Sequence, residues 1–222
     1  MLRMSSLTLL ASIAAAALTA RPTLTLVRHG QSEWNAANRF TGWVDIDVTE
    51  RGIMEAKLAG NMLKEEGARH DLVLTSVLRR AVRTACFMLS ATDQCYVPLV
   101  KDVRLNEQHS GSLTGYNKRD LARAQGVEQV MHWRRSYDSP PPPLSDSDPF
   151  QRAIVEDERY RASPIAIPDA ESLAMTCVRV EAVWADTIAP ALAQGKNVTV
   201  VAHEPSTADA MNRYINRYMN RR

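Results

Sequence analysis

No acidic residue occurs before Glu33. The chain is also poor in cysteine: Cys86, Cys95 and Cys177 are an odd number without metal-type spacing, which argues against a disulfide framework. No zinc or calcium pattern is present, so no metal is expected. A net charge of +2 and a pI near 8.5 leave little surplus charge for nucleic acid. The cations stand singly, beside glycines and hydroxyls, an arrangement suited to small anionic ligands. The Ala-rich run from Leu7 to Leu18 is too short to cross a bilayer as a stable helix.

A basic start (Met1-Leu2-Arg3), this apolar run and the small residues Ala17, Thr19 and Ala20 together read as a cleaved leader. Arg3, Ser5, Ser6 and Ser12, without acids, support organellar import as a rival, and a disordered extension is the third reading. Residues 1–21 are therefore set apart from a single domain over residues 22–222, long enough for a sizeable core.

The stretch that organises the chain is Leu24-Thr25-Leu26-Val27-Arg28-His29-Gly30-Gln31-Ser32. Its β-branched apolar start predicts a buried strand, and Arg-His-Gly predicts a sharp turn at the sheet edge. Ligands of open α/β sheets collect at such carboxyl ends. A ring nitrogen there can attack phosphorus, beside a guanidinium whose fork matches phosphate oxygens.

Further along, Thr49 is expected to cap a helix with Ile53, Ala56, Met62 and Leu63 on its inner stripe, ending at Gly67. Asp71 to Thr75 reads as a second strand. Ser76 is expected to cap a helix bearing Arg79, Arg80 and Arg83, with Val82, Ala85, Cys86 and Leu89 inward. A cation in that first turn opposes the helix dipole unless an anion is nearby, which singles out Arg80. Tyr96 to Val100 reads as a third strand, Asn117 to Gly126 and Val127 to Tyr137 as helices. Ser139 to about Pro168, with four consecutive prolines, reads as a loop serving as a lid. Glu171-Ser172-Leu173 opens a long helix with Leu173, Cys177, Val180 and Trp184 on one face. Asn197 to Ala202 is a strand that delivers His203 as the first strand delivers His29.

Val27 to Asn35 and Asn38-Arg39-Phe40-Thr41-Gly42-Trp43 resemble the cofactor-dependent phosphoglycerate mutases of the histidine phosphatase superfamily. The likeness returns at Thr75 to Ala81, Leu105-Asn106-Glu107, Leu113 to Lys118 and Trp133-Arg134-Arg135, in order from about Thr23 to Ser206. It implies a three-layer α/β/α domain with a mostly parallel sheet. It also implies a mutase that interconverts 3-phosphoglycerate and 2-phosphoglycerate, primed by 2,3-bisphosphoglycerate and without metal. His29 would be the nucleophile that becomes phosphohistidine, Glu107 the general acid/base, and Arg28, Arg80 and protonated His203 the charge partners of the phosphoryl oxygens. Ser32, Asn35, Thr41 and Gly42 would supply hydrogen bonds, and Lys118, Arg134 and Arg135 the substrate rim. The family setting is cytoplasmic and homodimeric or homotetrameric, with no nucleic-acid or membrane partner, although the leader leaves organellar import or secretion open.

The chain departs from the family pattern at Ser110, where a tyrosine is usual, and at Glu204-Pro205-Ser206, where Gly-Asn-Ser is usual. An acid beside the phosphate opposes binding by roughly 3 kcal/mol at about 5 Å and an effective dielectric of about 20. The end at Arg222 implies that the family's C-terminal edge strand and tail are lacking. These departures keep two alternatives open: a histidine-type phosphatase in which water intercepts the phosphoenzyme, and a catalytically impaired protein that binds phosphometabolites.

The leader reading has a direct test. A chain beginning at Pro22 keeps the whole predicted first strand, so it is expected to unfold at the same temperature as the full chain. A large loss of thermal stability would show that residues 1–21 pack on the domain.

Overall fold

The computed structural model describes residues 21–203. Four strands, β1 (Leu24–Arg28), β2 (Leu72–Thr75), β3 (Leu99–Lys101) and β4 (Val198–Ala202), pair in parallel in the order β1-β4-β2-β3. Parallel strands need covered faces, and their side chains divide by the two-residue period. Leu24, Leu26, Leu72, Leu74, Val198, Val200 and Ala202 pack on one side with Leu173, Cys177, Val180 and Trp184. Val27, Val73 and Val201 pack on the other with Ala85, Met88 and Leu89. The expected three layers follow from this alternation.

The helices are α1 (Glu33–Ala36), α2 (Glu50–Glu65), α3 (Arg79–Ala91), α4 (Lys118–Gln125), α5 (Val127–Arg135), α6 (Pro149–Val155), α7 (Leu173–Val183) and α8 (Ala189–Ala193). Thr49 caps α2 as expected, its hydroxyl accepting from Gly52 N at 3.1 Å. Gly67 lies just beyond that helix at φ +70, the left-handed geometry glycine permits. The inward face anticipated for α7, Leu173, Cys177, Val180 and Trp184, is buried, and the helix runs on through a π turn (Trp184–Ile188) into α8.

Several local expectations are corrected. Ser76 is not the cap of α3: the N-cap is Leu78, without a side-chain bond. Asp45, from a different loop, caps the helix instead by accepting from Arg79 N at 2.6 Å. Cys86 is exposed, since the inner stripe of α3 passes through Ala81, Ala85, Met88 and Leu89. Met62 is likewise exposed on α2, because the buried contacts of that helix are made by Gly52, Ala56 and Gly60. The third strand begins at Leu99, three residues later than expected, because Tyr96 and Val97 belong to the preceding turn. The segment from Ser139 to Pro168 is not bare loop but holds α6 and a 3-10 turn (Glu158–Tyr160), with Ile154 and Tyr160 packed on Trp43 and Val103.

Gly60 is where α2 and α3 come closest. A Cβ there would lie 2.6 Å from the Met88 carbonyl oxygen and 2.7 Å from Ala91 Cβ. Alanine in an exposed helix interior ordinarily stabilises by about 1 kcal/mol relative to glycine. Here the sign is expected to reverse, with Gly60→Ala destabilising by about 1–3 kcal/mol through overpacking. Urea unfolding checks this; equal or greater stability would disprove the close contact.

Candidate active site

The site lies where the strands end. His29 N continues the ladder by donating to Ala202 O at 3.0 Å, so residues 174 apart in sequence emerge side by side, with the His29 and His203 rings 5.0 Å between centroids. Close backbone packing fixes the turn after His29. A Cβ on Gly30 would sit 2.2 Å from Gly52 O, and one on Gly52 would sit 2.2 Å from Gln31 O. Gly30 N also donates to Thr84 Oγ1 (3.0 Å), which donates to Arg80 O (2.7 Å), tying the turn to α3.

Each histidine has its ring oriented by one bond. His29 Nδ1 lies 2.7 Å from Gly30 O, so Nδ1 carries the proton and Nε2 keeps its lone pair. Ser76 Oγ accepts from Leu78 N at 3.3 Å and lies 2.8 Å from His203 Nε2, which takes the hydroxyl proton in the tautomer that carries the ring proton on Nδ1. His203 Nδ1 is then a donor, buried without a partner and 3.7 Å from Glu107 Oε2. Burial, with Arg80 and Arg28 nearby, pushes His29 down to about 3. Burial and the charges of Arg80, Arg179 and Arg28 hold His203 well below the ordinary range. The expectation of a protonated His203 is thus corrected for the free protein: the ring is neutral until negative charge arrives.

Arg80 is fully buried between the two loops it joins. It donates to Gly42 O (2.8 Å), Val44 O (3.0 Å) and Glu107 Oε2 (2.7 Å). Glu107 is thus the counter-ion expected for a cation in that first turn. Its carboxylate lies between the histidines and an open cleft of about 670 Å³, which it also lines. Asn35, Thr41, Lys118, Arg134 and Arg135 line the cleft too, as do Gln108, His109 and Ser110. Burial and the Arg134 charge lower the pKa of Lys118, and burial and Arg135 lower that of Arg134, marks of like charges crowded together.

Two expected ligand contacts have other places in the structure. Ser32 is fully buried, its hydroxyl accepting from Asn35 N while Asn35 Oδ1 accepts from Ser32 N, a capping box for α1. Gly42, at φ +53, gives its carbonyl to Arg80, and a Cβ there would lie 2.8 Å from Ser110 N. Arg28 is exposed beside the turn and acts on His29, His203 and Lys118 through its charge. Glu204, Pro205 and Ser206 lie outside the described residues, as do residues 1–20, where a leader was expected, and residues 207–222, which bear on the expected lack of an edge strand and tail. Residues that motif reading missed include Trp43, which donates from Nε1 to Glu107 O (2.7 Å), and Glu171 and Arg179, which form a buried pair beneath the same loop. Their only sequence signal was Glu171-Ser172-Leu173, taken as a helix start.

His29, Glu107 and His203 offer three ligand atoms within 4.8 Å of one another. The charges that keep both rings from binding a proton also oppose a dication, and Arg80 already holds the carboxylate. Unpaired buried donors at Arg80 Nε and His203 Nδ1, together with the cationic cleft, fit a phosphorylated anion.

Residues 24–154 match the histidine phosphatase superfamily, branch 1. The chain is 48% identical over 193 residues to 2,3-bisphosphoglycerate-dependent phosphoglycerate mutase 2 of Lactiplantibacillus plantarum, covering 86% of this chain and 83% of that protein. The chain belongs to the histidine phosphatase superfamily. Its likeness to 2,3-bisphosphoglycerate-dependent phosphoglycerate mutase 1 of Lactobacillus johnsonii has the same extent, 48% over 86% and 83% of the two chains. A solved phosphoglycerate mutase of Bacillus anthracis shares the fold, with a TM-score of 0.63 at 20% identity over 88% of this chain and 80% of that one.

Four buried or half-buried histidines, His29, His70, His109 and His203, have lowered pKa values, burial being the largest cause for each. The unfolded chain therefore takes up protons first on acidification. Stability is expected to be flat above about pH 7 and to fall as pH drops below about 6.5, each neutral ring contributing up to about 1.4 kcal/mol per pH unit. Urea midpoints between about pH 5 and about pH 7, above the range of ordinary carboxyls, isolate this effect. A midpoint independent of pH across that window would show that the rings are not held neutral.

Proposed function

We propose that this protein is a phosphoglycerate mutase that interconverts 3-phosphoglycerate and 2-phosphoglycerate through phosphohistidine at His29, primed by 2,3-bisphosphoglycerate. The observation that carries the reading is the buried histidine pair beside Glu107, which itself lines a cleft together with Lys118, Arg134 and Arg135. Relatives 48% identical that bear this name support the same chemistry.

The roles follow from the contacts. His29 Nε2 attacks phosphorus as the bond from phosphorus to the ester oxygen breaks, and Glu107 gives the departing oxygen the proton it took from a substrate hydroxyl in the preceding transfer. The Nδ1 proton bonded to Gly30 O supports the positive charge the ring acquires. In the return step Glu107 takes the proton from the other hydroxyl, whose oxygen attacks phosphorus and frees His29. Arg80 Nε and His203 Nδ1 donate to the phosphoryl oxygens, and their fixed positions avoid reorganisation during transfer. The approaching dianion reverses the field on His203 and favours its protonation. Lys118, Arg134 and Arg135 hold the carboxylate and the second phosphate, with Asn35 and Thr41 beside them. Arg28 adds positive charge at the mouth. This reading carries a cytoplasmic setting and a homodimeric or homotetrameric assembly, and makes residues 22–222 one catalytic domain behind a dispensable leader.

Purified protein given bisphosphoglycerate and 3-phosphoglycerate is expected to form 2-phosphoglycerate with little free phosphate; dominant phosphate release would make it a phosphatase. His29→Ala should abolish acid-labile labelling, and undiminished label would remove His29 from the mechanism. Glu107→Gln should slow transfer between glycerates by about 100-fold or more, the usual scale of general acid/base catalysis. It should leave labelling by 4-nitrophenyl phosphate nearly intact, because that leaving group departs without a proton. Parental transfer rates in Glu107→Gln would sink the assignment.

A further inference from the structure

Arg179 lies behind the active site rather than in it. It extends from α7, whose other contacts through Val180 and Val183 belong to the core, and it is 6% exposed. Its guanidinium donates to three carbonyls within four residues of one loop: Arg104 O at 2.8 Å, Asn106 O at 2.7 Å and Glu107 O at 2.8 Å. The remaining donors make a two-pronged pair with Glu171, Nε to Oε1 at 2.7 Å and Nη2 to Oε2 at 2.8 Å. Glu171 also accepts from His109 N at 2.8 Å, and its backbone carbonyl accepts from Gln108 Nε2 at 2.7 Å. The pair therefore holds the backbone on both sides of Glu107, while Trp43 Nε1 gives Glu107 O a second donor.

A buried ion pair is a weak device for stability alone, because desolvation of both charges offsets their attraction. What it supplies here is direction. The Glu107 side chain must reach Arg80 on one side and remain within 3.7 Å of His203 on the other. The loop that bears it is irregular, running from a 3-10 turn (Val103–Leu105) to another (Gly111–Leu113), with no ladder of its own to fix the backbone. Bonds from a core helix replace that ladder.

We infer that Arg179 is a positioning residue for Glu107: clamped by Glu171, it fixes the backbone from Arg104 to Glu107 so that the carboxylate meets the ester oxygen. This rests on the reading of Glu107 as the group that moves the proton. A displacement of about 1 Å at a reacting group can cost about 100-fold. Arg179→Lys keeps the charge but loses the fork that reaches Glu171 and the carbonyls together.

The test is a double-mutant cycle of Arg179→Lys with Glu107→Gln, following single-turnover transfer from bisphosphoglycerate-labelled His29 to 3-phosphoglycerate. Arg179→Lys alone is expected to slow transfer by about tenfold or more with KM within about threefold, and to add almost nothing when Glu107 is already Gln. Labelling of His29 by 4-nitrophenyl phosphate should stay near the parental rate. Losses that multiply in the double variant, or equal slowing with both phosphoryl donors, would make Arg179 a general structural residue and overturn the inference. Parental transfer in Arg179→Lys beside slow transfer in Glu107→Gln would sink this inference alone, whereas parental transfer in Glu107→Gln would sink the reading beneath it. If Arg179→Lys fails to fold, Glu171→Gln takes its place in the same cycle, with the same outcomes for and against.

Discussion

The fully buried guanidinium of Arg80 is the constraint on which the site depends. An unpaired charge there would cost several kcal/mol, so its donors must find oxygens with good geometry. The Nη1 and Nη2 groups find them on segments far apart in sequence: Gly42 O and Val44 O from the loop after α1, and the Glu107 carboxylate from the loop after β3. Nε is left without a partner among the described residues. Satisfying one cation thus assembles three parts of the site. The left-handed backbone at Gly42 belongs to this arrangement, since its carbonyl turns to Arg80 while Ser110 packs where a side chain would be.

The same charge sets the chemistry. Together with burial, the larger cause, Arg80 lowers the proton affinity of both histidines. The low proton affinity of the pair and the surplus of positive charge around it thus arise together. Glu107 sits at the junction, paired with Arg80 and reaching toward both histidine and cleft. Its loop hangs from a core helix through Arg179, which donates to Glu107 O and pairs with Glu171.

Much of this was readable from local pattern. The β-branched runs at Leu24 and Val198, the cap at Thr49, and the inner stripe of the helix beginning at Leu173 depend on neighbours one to four residues away, and all are found close to where expected. The local signals that misled were those that tertiary contacts outweigh. Ser76 looks like a helix cap, but its hydroxyl orients His203 while Asp45 serves the helix from another loop. Ser32, expected as a ligand contact, also has a local task, its hydroxyl oxygen accepting from Asn35 N in a capping box. The proline-rich segment conceals a short helix whose reason to form is Ile154 meeting Trp43 across the chain.

By itself the sequence determined the alternation of strands and helices and the kinds of group delivered to the strands' carboxyl ends, because these rest on periodicity and on motif residues close together in the chain, while the parallel sheet was implied by the family resemblance. Only the tertiary structure decided that β1 and β4 are neighbours, which sets two histidines 5.0 Å apart across 174 positions. It alone decided that both rings are neutral, since proton affinity depends on burial and on charges brought from elsewhere. It also decided that Arg179 joins Arg80, which its place in a first helical turn had already singled out: both are enclosed by carbonyls and carboxylates folded around them, and no spacing along the chain encodes that enclosure for Arg179.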